Sequence, residues 1–437
     1  MNPFKLSSSL RTEAIAGATT FFTMAYIVVV NPSVLTTEGT GMPFSGVMTA
    51  TVLLSIVTTL LMGVYAKLPY AVASGMGLNA FFTYTMILGK GIPWQTALGI
   101  TFWAGVLFLL VSLTPIRESI ARALPQGLRV GSAAGIGVFL TFIGLKNSGF
   151  VVSDPVTSVK TGHITPEVLL FLAGFVVMGA LLRRRNPFAF LAGIFAVTGV
   201  AWALGMIQAP ASLLAMPDFS SAFLKMDIWG ALKLSMIPSI LAILFTDLFD
   251  SITSFVGMSH GAGLVDSKGA PKQLKEGLVV DSWATLLAGV FGTSSGTVFV
   301  ESMAGVEVGG RTGMTAVFAA LCFIPCLFIA PIAGMVPAYA TAPVLVWVGV
   351  LMFRSVSSLK SDTLEDLVPA FLAIILVPLT FSITQGLVWG FLSHVCFYWL
   401  AGRRSEITRM QLVICVLAIG ILLIENLGAA LDRGIGS

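Results

Sequence analysis

Apolar stretches long enough to cross a bilayer recur along almost the whole chain, from residue 14 to residue 427, separated by short breaks of charge, proline or glycine. A spanning helix needs roughly 20 apolar residues. Lipid offers no water to satisfy open backbone, so such a chain becomes a bundle of membrane-crossing helices. Charged residues make up 10% of the 437, against roughly a quarter in soluble domains. A net charge of +4 spread over that many loops says nothing in favour of nucleic acid, and none is expected as a partner. The four cysteines (Cys322, Cys326, Cys396, Cys415) all lie in apolar segments and read as packing residues rather than as a metal site.

Apolar runs between breaks place fifteen segments: 14–34, 45–66, 70–88, 93–114, 127–145, 166–182, 187–207, 229–258, 274–291, 294–306, 312–332, 340–355, 366–380, 382–400 and 408–427. Lys5, Arg11 and Glu13 precede the first run without the short apolar core of a cleavable signal, so the first span is expected to stay in the membrane. With the amino terminus cytoplasmic, only Lys90, Lys146, Lys160, Lys225, Lys233 and Arg433 fall on the outer side or at span ends. The other 18 of the 24 lysines and arginines then lie inside, as inner loops require.

Seven segments precede the polar stretch 208–228 and seven more run to residue 400. Short matches keep order between the halves, such as Phe22-Thr23-Met24 with Phe245-Thr246-Asp247 and Gly137-Val138-Phe139-Leu140 with Gly349-Val350-Leu351-Met352. An odd number of spans per unit inverts the second unit, the architecture of secondary transporters. Segment 408–427 has no counterpart and reads as an accessory helix or a membrane-surface element.

The third segment of each half is irregular: Pro69-Tyr-Ala-Val-Ala-Ser-Gly-Met-Gly-Leu-Asn79 and Gly292-Thr-Ser-Ser-Gly-Thr-Val-Phe-Val-Glu301. Gly, Ser and β-branched residues are poor helix formers. Each segment is therefore expected to run as a short extended stretch followed by a half-helix, the two stretches pairing near the midplane, where unpaired backbone would be costly. The bland alternative is that Gly75, Gly77, Gly292 and Gly296 only admit close helix packing.

Four acids fall within apolar sequence: Asp247, Asp250, Asp281 and Glu301. Charges there usually mark an ion or substrate pathway. Asp247 and Asp250, three apart, are expected on one helix face. Glu301 begins the second half-helix, and Asn79 stands at the matching place in the first. Asp281, near the start of its span, reads equally as a helix cap. Carboxyls and a carboxamide supply acceptors and donors for a small, planar, uncharged ligand with N–H and carbonyl edges. Phe22, Phe81, Phe249 and Phe299 offer aromatic faces for a ring, although packing explains any one of them.

Phe21-Phe-Thr-Met-Ala-Tyr-Ile-Val-Val-Val-Asn-Pro32, Gly75-Met-Gly-Leu-Asn79-Ala, Asp247-Leu-Phe-Asp250, Gly292-Thr-Ser-Ser, Val300-Glu301-Ser and Gly309-Gly-Arg311-Thr-Gly resemble the AzgA-like purine permeases of the nucleobase/ascorbate transporter superfamily. The similarity runs in order over about residues 10 to 400. It implies an all-α polytopic membrane protein of 14 spans in two inverted seven-span repeats. The implied core domain is 10–125 with 229–338, the gate domain 126–228 with 339–400, and 401–437 is a tail. It further implies proton-coupled, elevator-like uptake of adenine, guanine or hypoxanthine by a homodimer in the plasma membrane, with no other cofactor. By that resemblance Asn79, Asp247 and Glu301 contact the base, and Asp250 couples the proton; Phe299 is taken as a stacking partner. Ser251-Ile-Thr-Ser and Ser295-Gly-Thr-Val-Phe depart from the family's usual residues and bear on base preference.

The nearest rival is an anion transporter of the same fold, like the sulfate permeases, where half-helix amino termini face the anion; Glu301 at such a terminus opposes it. A membrane-embedded enzyme would need a histidine-containing constellation within the spans, which the sequence does not offer.

Overall fold

The computed structural model describes residues 9–114, 123, 125–265, 271–359 and 363–435. Lys5, Arg117, Arg122, Lys268 and Lys360, which the charge count assigns to the inner side, lie outside them. In chain order the helices are α1 (Leu10–Met24), α2 (Ile27–Leu35), α3 (Phe44–Leu61), α4 (Met76–Ala80), α5 (Trp94–Leu113), α6 (Gln126–Asn147), α7 (Pro166–Arg183), α8 (Ala189–Ala203) and α9 (Ile237–Ala262). They continue as α10 (Leu274–Phe291), α11 (Ser302–Val308), α12 (Gly313–Phe323), α13 (Ala330–Gly334), α14 (Ala338–Phe353), α15 (Leu364–Thr380), α16 (Ile383–Leu400) and α17 (Arg409–Ile435). Among the described residues, seven helical stretches are long and apolar enough to cross a membrane, four of them joining consecutive elements: Leu10–Leu35, Phe44–Ala66, Trp94–Leu113, Gln126–Asn147, Pro166–Arg183, Leu234–Ala262 and Ala338–Ser358.

Both irregular segments are broken. After Lys67, which adopts a left-handed backbone, the chain runs extended through β1 (Val72–Ser74) before α4, which continues as a wide π-wound turn over Phe81–Gly89. After Gly292, whose φ of 98° ends α10, it runs extended through a strand at Gly296–Val298 before α11. The two strands pair antiparallel, Val72 with Val298, Ala73 with Thr297 and Ser74 with Gly296. Gly75 N–H donates to Ser295 O and Phe299 N–H to Ala71 O, both at 2.9 Å, extending the ribbon at each end. Its outer edges are closed by side chains: Val72 N–H donates to Thr59 Oγ1, whose hydroxyl donates to Val72 O, both at 2.9 Å. Thr285 Oγ1 donates to Gly296 O at 3.3 Å. Interior backbone is thus satisfied without water, as membrane depth demands.

A second ribbon, Val151–Asp154 with Ser158–Thr161, departs from the all-helical expectation. It is a polar hairpin in which Asp154 accepts main-chain hydrogen bonds from Thr157 and Val156 and pairs with Lys160. Together these hold its carboxyl down at about 2. The stretch 208–228 forms no long helix; Asp218 pins it by accepting from Ser45 Oγ at 2.8 Å. The last helix, α17, packs on α16 through Gln411 beside His394 and Cys415 beside Phe391. Cys396 is exposed on α16 and so is not the packing residue its apolar setting implied.

Candidate functional site

A cavity of about 450 Å³ opens where α6, α9 and α14 meet the two broken segments, within the range of about 300–1,000 Å³ typical of small-ligand sites. α9 presents Thr246, Asp250 and Ser254, the ribbon Thr297, Val298 and Phe299, and α11 its capping residue Glu301. Tyr26, in the break between α1 and α2, donates its hydroxyl to Glu301 Oε1 at 2.8 Å, and Thr23 Oγ1 donates to the Glu301 carbonyl at 3.3 Å. One carboxylate oxygen of Glu301 is thereby oriented by the protein. The exposed Arg354 lies at the cavity's edge. Asp250 also lines a smaller cavity of about 50 Å³ together with Arg129, so it stands between α9 and α6.

Asp250, Glu301 and Phe299 therefore come together around one space. Asp247 and Asn79 are fully buried and lie behind it. Three residues of α-helix leave two side chains offset by about 60°, and the cavity wall falls within that offset. Asp250 shares the cavity wall with Thr246 and Ser254, whereas Asp247, about 60° round the same helix, turns with Ser251 toward Thr285 and Asp281 of α10. Asp247 Oδ2 accepts from Ser295 Oγ at 2.7 Å and from Thr285 Oγ1. Asp281, inside α10 rather than in its first turn, accepts from Ser251 Oγ and, at 3.4 Å, from Thr297 Oγ1. It is buried and caps nothing; the acid in that first turn is Glu276.

Asn79 belongs to a polar knot. Its Nδ2 donates to Asn31 Oδ1 at 3.0 Å, and Asn31 Nδ2 donates to Thr51 Oγ1 and Thr293 Oγ1 at 2.8 and 2.9 Å. Ser294 Oγ donates to Asn31 Oδ1 at 3.2 Å. The knot ties α2, α3, α4 and the start of the second broken segment together. Asn79 is the fourth residue of α4 and Glu301 precedes the first of α11, so the two do not occupy matching helix positions. Tyr26, Thr246 and Thr297 were missed as site residues by sequence. A signal existed for Thr246, four residues before Asp250 and so on its face.

Residues 11–388 match the model of a permease family. The chain is 39% identical over 95% of its length to the adenine permease AdeP of Escherichia coli (strain K12), covering 94% of that protein. It is 37% identical over 94% of its length to the guanine/hypoxanthine permease PbuO of Bacillus subtilis (strain 168), covering 96% of it. Among solved structures, the transmembrane domain of a cyanobacterium bicarbonate transporter, BicA, superposes with a TM-score of 0.67 at 15% identity, covering 88% of this chain and 98% of that one. SLC26A9 gives 0.65 at 9% identity, covering 90% and 66%. These two share the fold. With the family model matching residues 11–388 and purine permeases 37–39% identical over nearly the whole chain, the chain belongs to the permease family, in its AzgA-like branch.

Proposed function

We propose that the protein is a secondary active transporter that imports purine nucleobases of the adenine, guanine and hypoxanthine class, with a proton as its coupling ion. The observation that carries this reading is the placement of Glu301 and Asp250 in one cavity of purine-accommodating size, with Phe299 and Thr246 on its wall. Carboxyls there accept N–H bonds from a neutral heterocycle or donate to it when protonated. The names of the relatives supply the class of base. Glu301 meets the ligand with the oxygen that Tyr26 leaves unclaimed, Phe299 offers a ring face, and Asp250 carries the proton beside the base. Asp247 and Asn79 act from behind, holding the ribbon and α4 in place.

The cavity lies between residues of 10–125 and 229–338 on one hand, and Ile136, Val348, Leu351 and Arg354 on the other. That supports a core domain moving against a gate domain of 126–228 and 339–400, within a 14-span homodimer whose amino terminus faces the cytoplasm. In this reading the cavity opens inward, toward Arg354. The outer side is closed by bonds between the two bodies: Asn147 Nδ2 donates to Tyr84 Oη at 3.1 Å, and Thr85 Oγ1 donates to Phe381 O.

The fold shared with a bicarbonate transporter raises anion transport as the alternative, and two carboxyls at the cavity wall oppose it by repulsion. The test is binding of labelled hypoxanthine to purified protein, competed by each purine and by sulfate or bicarbonate. Competition by purines alone supports the proposal, and competition by the anions alone replaces it.

A further inference from the structure

The Gly309-Gly-Arg311-Thr-Gly motif stands apart from the cavity, yet it closes the far end of the half-helix that carries Glu301. Arg311 Nη1 donates to Val306 O in the last turn of α11 and, at 2.8 Å, to Gly310 O. The Arg311 main-chain N–H donates to Glu13 Oε1 at 3.2 Å, and Thr315 Oγ1 donates to Glu13 Oε2. Glu13 lies on α1 and is fully buried, an expensive place for a carboxyl unless its bonds serve a purpose. The same helix meets the opposite end of α11 through Thr23 and, just beyond its end, Tyr26. Between the two grips the backbones touch: a Cβ on Gly305 would lie 2.5 Å from Ala16 O, so glycine is what lets α11 lie directly on α1.

A seven-residue helix makes few internal hydrogen bonds and holds no direction by itself. Its aim is set by what grips its ends. We propose that Glu13 is a positioning residue for Glu301: through Arg311 and Thr315 it fixes the inner end of α11 against α1, so that the carboxyl at the other end meets the ligand in a preset geometry. The nucleobase-binding part of the test rests on the function proposed above; the inference about α11 does not.

Two variants test it, Glu13→Gln, which keeps one acceptor, and Thr315→Val, which removes the donor to Glu13 at nearly constant shape. Amide hydrogen exchange of the full-length protein in detergent reads α11 without any ligand. Exchange over residues 302–308 is expected to quicken by about tenfold in Thr315→Val, with residues 243–258 of α9 unchanged. Unaltered protection of 302–308 would overturn the proposal, as would equal loss in α9, which would mean general destabilisation. Hypoxanthine affinity is expected to fall by about tenfold in each variant. Placed on a Glu301→Gln background, each is expected to cost nothing more, because it acts through a carboxylate no longer present. Full additivity would assign Glu13 a purely structural role. Wild-type protein that binds no purine would defeat the nucleobase reading alone, with the exchange result still deciding the role of Glu13.

Discussion

Tyr26 and Glu301 are joined by a 2.8 Å hydrogen bond across 275 residues of sequence, linking the break between α1 and α2 to the cap of α11. The bond fixes one carboxylate oxygen of a residue that lines the cavity. Tyr26→Phe is therefore expected to weaken purine binding by about 1 kcal/mol, roughly fivefold, without loss of folded protein. Equilibrium binding to the purified variant checks this, and unchanged affinity would mean that Glu301 is held by its backbone alone.

Glu301→Gln replaces an acceptor-only group with one that also presents N–H donors to the ligand's own N–H edge. Binding should weaken by about 1–3 kcal/mol, roughly five- to 150-fold. Wild-type affinity in that variant would remove Glu301 from the binding site.

Asn79→Ala separates two roles. The side chain donates to Asn31, which in turn donates to Thr51 and Thr293. Removing it leaves a buried acceptor short of a donor, so thermal unfolding should show a loss of about 1–3 kcal/mol, with Asn31→Ala behaving alike. Lost binding at full stability would instead assign Asn79 to direct ligand contact.

Tyr84→Phe removes the hydroxyl that accepts from Asn147, on the side opposite Arg354. If that bond helps keep the outer side closed, the variant shifts toward an outward-open state by about 1 kcal/mol. A cysteine introduced in place of Thr246, on the cavity wall, should then react faster with an impermeant reagent added outside. An unchanged labelling rate would show that the closure rests on packing.

Much of this site was legible in the sequence because its cause is local. Gly, Ser and Thr in place of apolar helix formers at 69–79 and 292–301 announce broken spans, and two broken spans facing each other have little to pair with except one another. Carboxyls in apolar runs mark Asp250 and Glu301 for the same reason. What remained hidden depends on contacts between distant segments. Which of Asp247 and Asp250 faces the cavity is decided by where α10 packs on α9, and a three-residue spacing cannot resolve it. The partner of Asn79 is 48 residues away and the next bond in that knot spans 262. The hairpin at 151–161 was readable in principle, since Asp154-Pro155 is a turn signal between valine-bearing strands, but the loop was too short to draw attention among apolar helices.

The coupling role of Asp250 is tested by Asp250→Asn, which mimics a permanently protonated carboxyl at the junction of the two cavities. The most direct measurement is uptake of labelled hypoxanthine into proteoliposomes with and without an imposed inward proton gradient. Wild-type protein should accumulate the base above its external concentration only when the gradient is present. Asp250→Asn should bind and exchange the base without accumulating it. Gradient-driven accumulation by Asp250→Asn equal to wild type, or wild-type uptake indifferent to the gradient, would contradict proton-coupled transport through this residue.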